Sequence, residues 1–123
     1  MTDFSFVILY VDNPPKAAEF YAGLLGKPAI DSAPTFAMLP LREGVMLGLW
    51  QRGEVVPKAS APAGGNEIAF TVADDAAVTA LHRQWKGRGL TIIQPPEKRD
   101  FGFTFTALDP DGHRLRVLAP GAR

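Results

Sequence analysis

Cysteine is absent from this 123-residue chain, which excludes disulfides, thiolate metal sites and a cysteine nucleophile. Net charge is absent too. Thirteen basic side chains cancel thirteen acidic ones, so no global field draws the protein to nucleic acid or to an anionic membrane. No apolar run approaches the ~20 residues needed to span a bilayer. Met1-Thr2-Asp3 carries neither the basic segment nor the apolar stretch of a signal peptide. Histidine is scarce, with two in all. Together these absences predict a cytoplasmic protein without a membrane or nucleic-acid partner. What remains is an ordinary globular composition, 46% hydrophobic and 21% charged, in a chain long enough for one domain with a real core.

The main positive signal is a pattern that runs twice. The first pass has an apolar strand, Phe6 to Val11, apolar throughout, which predicts cover on both of its faces. Asn13 can cap the helix that follows, and Pro15 suits its first turn. Ala17, Phe20, Tyr21, Leu24 and Leu25 form one apolar stripe at helical spacing before Gly26 ends it. Strands are expected at Lys27 to Asp31, Thr35 to Leu41 and Val45 to Trp50, with Arg42-Glu43-Gly44 as the hairpin turn.

The second pass starts at Asn66 to Val72, turns at Asp74-Asp75 and runs a helix through Val78, Leu81 and Trp85 to Gly87 and Gly89. Leu90 to Ile93 reads as a strand stopped by Pro95-Pro96, and Phe101 to Leu108 as the next. Asp109-Pro110-Asp111-Gly112 makes a tight turn into His113 to Leu118. Residues 53–65, rich in Gly, Pro and Ala, read as a linker. The expected organisation is α+β. One domain over 1–123 contains a βαβββ module at 1–52 and another at 66–120. Their curved mixed sheets would form a cup, with the helices on its outer face. Aligning Gly44 with Gly112 makes Phe6 equivalent to Glu67 and Gly48 equivalent to Arg116, and the four would meet near a pseudo-twofold axis.

With this duplicated unit, with Val11-Asp12-Asn13 leading to Phe20-Tyr21 and Leu25-Gly26, and with Leu108-Asp109-Pro110-Asp111-Gly112-His113-Arg114-Leu115 closing it, the chain resembles the vicinal-oxygen-chelate superfamily. That group includes glyoxalases, bleomycin-resistance proteins and extradiol dioxygenases. The resemblance implies His, Gln or Glu metal ligands on the first and last strands of each module. Matched by motif, those positions here hold Phe6, Gly48, Glu67 and Arg116. Only Glu67 can bind a divalent cation, and arginine is a permanent cation that repels one. A catalytic metal site needs about three protein ligands. The sequence therefore predicts no metal and no cofactor.

Side chains alternate along a strand, so those in phase with the four positions are expected to line the cup. They are Phe6, Ile8, Tyr10, Met46, Gly48, Trp50, Glu67, Ala69, Thr71, Arg114, Arg116 and Leu118. Gly48 would leave room for a ligand, and Met46 would adapt its shape to it. Phe101 and Phe103 are ligand-binding candidates as a flap over the mouth; the competing reading packs them into the core at a strand entry. Glu67 and Arg116 can form a salt bridge with each other or contact a ligand. Trp50 and Met46 can line the pocket or a dimer interface. His82 and His113 are expected to be solvated, and Asp109 and Asp111 to be turn-formers.

The leading expectation is a metal-independent binding protein that holds a small aromatic or apolar molecule in cups formed by a homodimer. The alternative is a glyoxalase-like lyase or isomerase with Glu67 as the catalytic general base, or a dioxygenase-like enzyme if a metal is bound. A third reading is a regulatory module whose cup is filled by its own side chains.

Overall fold

A computed structural model describes residues 2–121. Those residues form eight strands and two α-helices, arranged as two compact units that part between Pro62 and Ala63. Each unit is a βαβββ module with an open four-stranded mixed sheet. The α+β class and the duplication are as the sequence predicts.

In the first unit the chain runs β1 (Phe6–Val11), α1 (Pro14–Leu25), β2 (Asp31–Ser32), β3 (Phe36–Arg42) and β4 (Val45–Gln51), with sheet order β1-β4-β3-β2. The Asn13 side chain accepts a hydrogen bond from the Lys16 amide, satisfying one of the orphan donors at the helix start. Pro14 and Pro15 fill the first turn, where a missing N–H costs nothing. At the other end Gly26, in left-handed conformation, returns its amide to the Ala22 carbonyl. Ala17, Ala18 and Tyr21 of α1 pack into a core with Leu9, Val11, Leu39, Leu47 and Leu49. Each large side chain so enclosed contributes roughly 1.5–3 kcal/mol of transfer free energy.

The second unit repeats the plan: β5 (Glu67–Thr71), α2 (Asp75–Gly87), β6 (Thr91–Arg99), β7 (Gly102–Leu108) and β8 (Arg114–Pro120), in the order β5-β8-β7-β6. Asp74 caps α2 by accepting from the Ala77 amide. Trp85 meets Phe70 and Phe105 edge to face, at centroid distances of 6.1 and 5.4 Å. Asp109 builds the turn before β8, its carboxylate accepting from the amides of Asp111 and His113.

The two registers test the internal alignment directly. In the parallel pair β1–β4, Phe6 lies opposite Met46 and Ile8 opposite Gly48. In β5–β8, Glu67 lies opposite Arg114 and Ala69 opposite Arg116. Phe6 and Gly48 thus stand in the same diagonal relation as Glu67 and Arg116. The turns agree as well, since Gly44 and Gly112 both take positive φ, +80° and +94°. No helix among the described residues is long and apolar enough to cross a membrane.

Several expectations are corrected. β1 is not covered on both faces: Leu9 and Val11 are buried, whereas Phe6 and Ile8 are 39% and 46% exposed. Its continuous apolarity reflects two different apolar surfaces, one of them open. The strand expected at Lys27 to Asp31 shrinks to Asp31–Ser32. Pro95-Pro96 does not stop β6, because β6 is an edge strand and the prolines sit where its register shifts, between Gln94 and Glu97. His113 is buried rather than solvated. His82 is half-buried, with its ring 5.4 Å from that of Phe105.

Gly102 marks the tightest point of the second unit. It has φ +141°, and a Cβ placed on it would lie 2.0 Å from the Ala119 carbonyl oxygen. Gly102→Ala is therefore expected to destabilise the protein by about 3 kcal/mol or more. Gly53→Ala, where a Cβ meets nothing within 4 Å, serves as the near-neutral control. Urea unfolding midpoints of the two variants against the parent check this. Equal midpoints would show that the close approach is relieved at no cost.

Candidate functional site

Strand alternation gives each sheet one face packed on its helix and one turned away from it. In the first unit the second face carries Phe6, Ile8 and Tyr10 of β1 beside Met46, Gly48 and Trp50 of β4, as expected. Tyr10 and Trp50 meet edge to face at 6.3 Å. The neighbouring strand β3 adds a residue that sequence reasoning missed. Phe36 pairs with Trp50, and its ring lies over Gly48, so that a Cβ on that glycine would come within 2.9 Å of the ring edge. Gly48 therefore does not leave an open space; it makes room for Phe36. The alternation of Phe36, Met38 and Pro40 opposite Trp50, Gly48 and Met46 was the available signal.

In the second unit the corresponding face is polar. Arg116 donates from Nε to Oε1 of Glu67 at 2.7 Å and from Nη2 to Oε2 at 2.8 Å, a two-pronged pairing between adjacent strands β5 and β8. The salt bridge forms inside one module, not across an axis relating two. The Nη1 group of Arg116 donates to Gln94 Oε1 at 2.9 Å and to Thr104 Oγ1 at 3.1 Å. Thr106 donates to the same Gln94 oxygen at 2.9 Å, and Thr104 to the Val117 carbonyl at 2.8 Å. Both threonines are buried, and this network satisfies their hydroxyls.

Gln94 was not legible from period-two counting, which puts it on the same face as Ile92. The structure inserts a bulge at Ile93: Ile92 lies opposite Ala107, but Gln94 lies opposite Thr106. The extra residue turns Gln94 onto the Arg116 face, a common use of a bulge.

Phe101 lies at the tip of the β6–β7 hairpin, where Arg99 pairs with Gly102. Its ring centroid is 5.7 Å from the Arg116 guanidinium carbon, and the residue is 47% exposed. It is not a core residue. Phe103 is in phase with Phe105 and lies opposite Ala119, on the helix-covered face, away from Arg116. Ala69, Thr71 and Arg114 are exposed on their strands, and Arg114 stands directly opposite Glu67.

Hydrogen bonding from Arg116 lowers the Glu67 carboxyl pKa; desolvation pushes it the other way, and the charges of Arg116 and Arg114 add to the lowering. The same bond raises the Arg116 pKa. A carboxylate with both oxygens engaged and its pKa depressed is a weak general base. It is also a poor metal ligand, since a cation would have to displace the guanidinium. Phe6 and Gly48 offer no donor side chain. Among the described residues no three His, Cys, Asp or Glu side chains are grouped to hold a metal ion. The residues at the four family positions do not fit a divalent cation.

The chain belongs to the glyoxalase/bleomycin resistance protein/dioxygenase superfamily, whose family model matches residues 4–117. It is similar to the phenazine antibiotic resistance protein EhpR of Enterobacter agglomerans, 29% identical over 113 residues, or 89% of this chain and 86% of the relative. Among solved structures it is similar to protein ATC0852 from Agrobacterium tumefaciens, with 51% identity, a TM-score of 0.90 and coverage of 99% and 100% of the two chains. A glyoxalase-related enzyme from Fulvimarina pelagi shares the fold, with a TM-score of 0.83 at 20% identity and coverage of 97% and 88%.

The ion pair has a pH signature. The lowered Glu67 pKa contributes stability that is present in full above the ordinary glutamate value of 4.5 and is lost as pH falls through the folded value. Glu67→Gln should lower stability at pH 7 by less than about 1 kcal/mol, as for a partly exposed pair. That deficit should shrink as pH falls below 4.5 and through the folded Glu67 value. Urea midpoints of parent and variant across this range check it; a deficit that persists in acid would assign the loss to packing rather than charge.

Proposed function

We propose that this protein is a metal-independent small-molecule binding protein of the bleomycin-resistance type, working as a cytoplasmic homodimer on a planar aromatic ligand. The observation that carries the reading is the Glu67–Arg116 pair. The side chains that stand at metal-ligand positions in the second module are bonded to each other, and their first-module counterparts, Phe6 and Gly48, have no ligating atom. What the first module offers instead is an apolar, aromatic surface of Phe6, Ile8, Tyr10, Phe36 and Trp50, suited to ring stacking. Similarity to a phenazine antibiotic resistance protein supports a flat heteroaromatic ligand. On this reading resistance or carriage follows from sequestration, which needs no bond to be made or broken.

Catalysis by Glu67 as general base is the less favoured reading. Proton abstraction calls for a carboxylate poised near the working pH, and Arg116 moves Glu67 the other way.

Isothermal titration of chelator-treated protein with phenazine-1-carboxylate tests the proposal. The expected result is binding with a Kd of about 1–50 μM, that is roughly −6 to −8 kcal/mol, unchanged by added zinc or nickel. Trp50→Ala should weaken it about tenfold or more. Failure to bind below millimolar concentration, or binding that requires metal, would overturn the proposal. So would metal-free turnover of the methylglyoxal–glutathione adduct that is abolished in Glu67→Gln.

A further inference from the structure

From the donor count around Arg116 we infer that Gln94 is a specificity-determining residue whose carboxamide N–H receives a neutral acceptor, a ring nitrogen or carbonyl oxygen, of the planar ligand. The inference deepens the proposed function and rests on it.

Arginine has five N–H donors. Four are spent here, two on Glu67, one on Gln94 and one on Thr104. The guanidinium charge is matched by the Glu67 carboxylate in the same plane. Arg116 is consequently a poor receptor for a ligand carboxylate, and its role is to hold other groups in place. Besides Glu67, it holds the Gln94 side chain at 2.9 Å and Thr104 at 3.1 Å. The Gln94 Oε1 accepts from both Arg116 Nη1 and Thr106 Oγ1, and both of those groups donate. Turning the amide over would set Nε2 against the Arg116 Nη1 group, which can only donate, although the Thr106 hydroxyl could accept from it. The orientation is therefore fixed with the oxygen inward and Nε2–H₂ outward. Among the described residues Nε2 makes no hydrogen bond, and it is not among the buried atoms that lack a partner, so it is open to solvent. Gln94 reaches this place only because the bulge at Ile93 turns it onto the Arg116 face.

The chemistry that such a group recognises follows directly. A fixed, uncharged donor selects an uncharged acceptor, since a second donor or a bare C–H at the same point leaves the amide unpaired. A planar ligand that also carries an acid would direct it to Arg114, which is exposed and makes no hydrogen bond to the described residues. Phe101, half-exposed at the hairpin tip, supplies an apolar edge alongside.

A matched pair of probes isolates the point. Phenazine-1-carboxylate and anthracene-1-carboxylate share shape and acid, and differ in the two ring nitrogens. The unmutated protein should bind the phenazine about tenfold more tightly. Gln94→Leu should bring the two to equal affinity while leaving the anthracene value within about twofold. In the unmutated protein, the Gln94 side-chain NH₂ resonances should shift on adding the phenazine but not the anthracene, a readout that does not depend on the variant folding. Equal affinity of the parent for both probes, or a preference that survives Gln94→Leu, would overturn the inference and leave the binding proposal intact. If neither probe binds below millimolar concentration, the two fall together.

Discussion

The pairing of Glu67 with Arg116 is the constraint on which the chemistry of the second module depends. It occupies both oxygens of the one acidic side chain at a family ligand position and four of the five donors of its neighbour, counting Gln94 and Thr104. A half-buried pair of this kind contributes modestly to stability, since what it gains in attraction it spends largely on desolvation. Its consequence lies in organisation. The guanidinium becomes a fixed plate that orients an amide, covers two buried threonine hydroxyls and lies 5.7 Å from an aromatic ring. A cation could enter only by displacing Arg116 from both Glu67 oxygens.

The duplicated backbone carries two unlike surfaces. Equivalent strands keep the same register, and equivalent turns use the same left-handed glycine. Yet Phe6 stands where the second module has Glu67, and Gly48 where it has Arg116. The first module fills the vacancy over Gly48 with the Phe36 ring, whereas the second extends the Arg116 side chain across β7 and β6 to reach Thr104 and Gln94. Backbone hydrogen bonding and helix packing are indifferent to what stands on the open face, so that face is free to diverge while the fold persists.

How much of this is readable from residue order depends on whether the signal is local. Asn13 and Asp74 as caps, Gly26 as terminator and Asp109 as the turn-builder act within a few positions of themselves, and all behave as their chemistry predicts. Period-two alternation correctly grouped Phe6, Ile8 and Tyr10 with Met46 and Trp50. It failed at Gln94, because one inserted residue reverses the assignment until a second shift, between Gln94 and Glu97, restores it. Alternation holds at Phe103: aromaticity marks it as a ligand candidate, but its phase puts it with Phe105. Phe36 was missed for a different reason. A glycine announces space, but what fills that space comes from a neighbouring strand with no fixed distance in sequence. Pro95-Pro96 misled because a strand-breaking residue breaks only strands that need the N–H, and an edge strand at a bulge does not.

On the proposed reading, recognition of a neutral acceptor would follow from this asymmetry of charge and donors. Close to the open face of the second module, Glu67 is bonded to Arg116, and Arg99 at the hairpin is bonded to Glu97 at 3.0 Å. Arg114 is exposed opposite Glu67, and its field is screened by salt over about 10 Å. A ligand of the proposed kind that carries one acid would be drawn towards Arg114 by charge, while discrimination among rings of the same shape would fall to groups whose positions are fixed. Of those, the Gln94 amide is the one held by two independent donors. On that reading attraction and selection would fall to different residues, and affinity for acids could change without loosening the choice of ring.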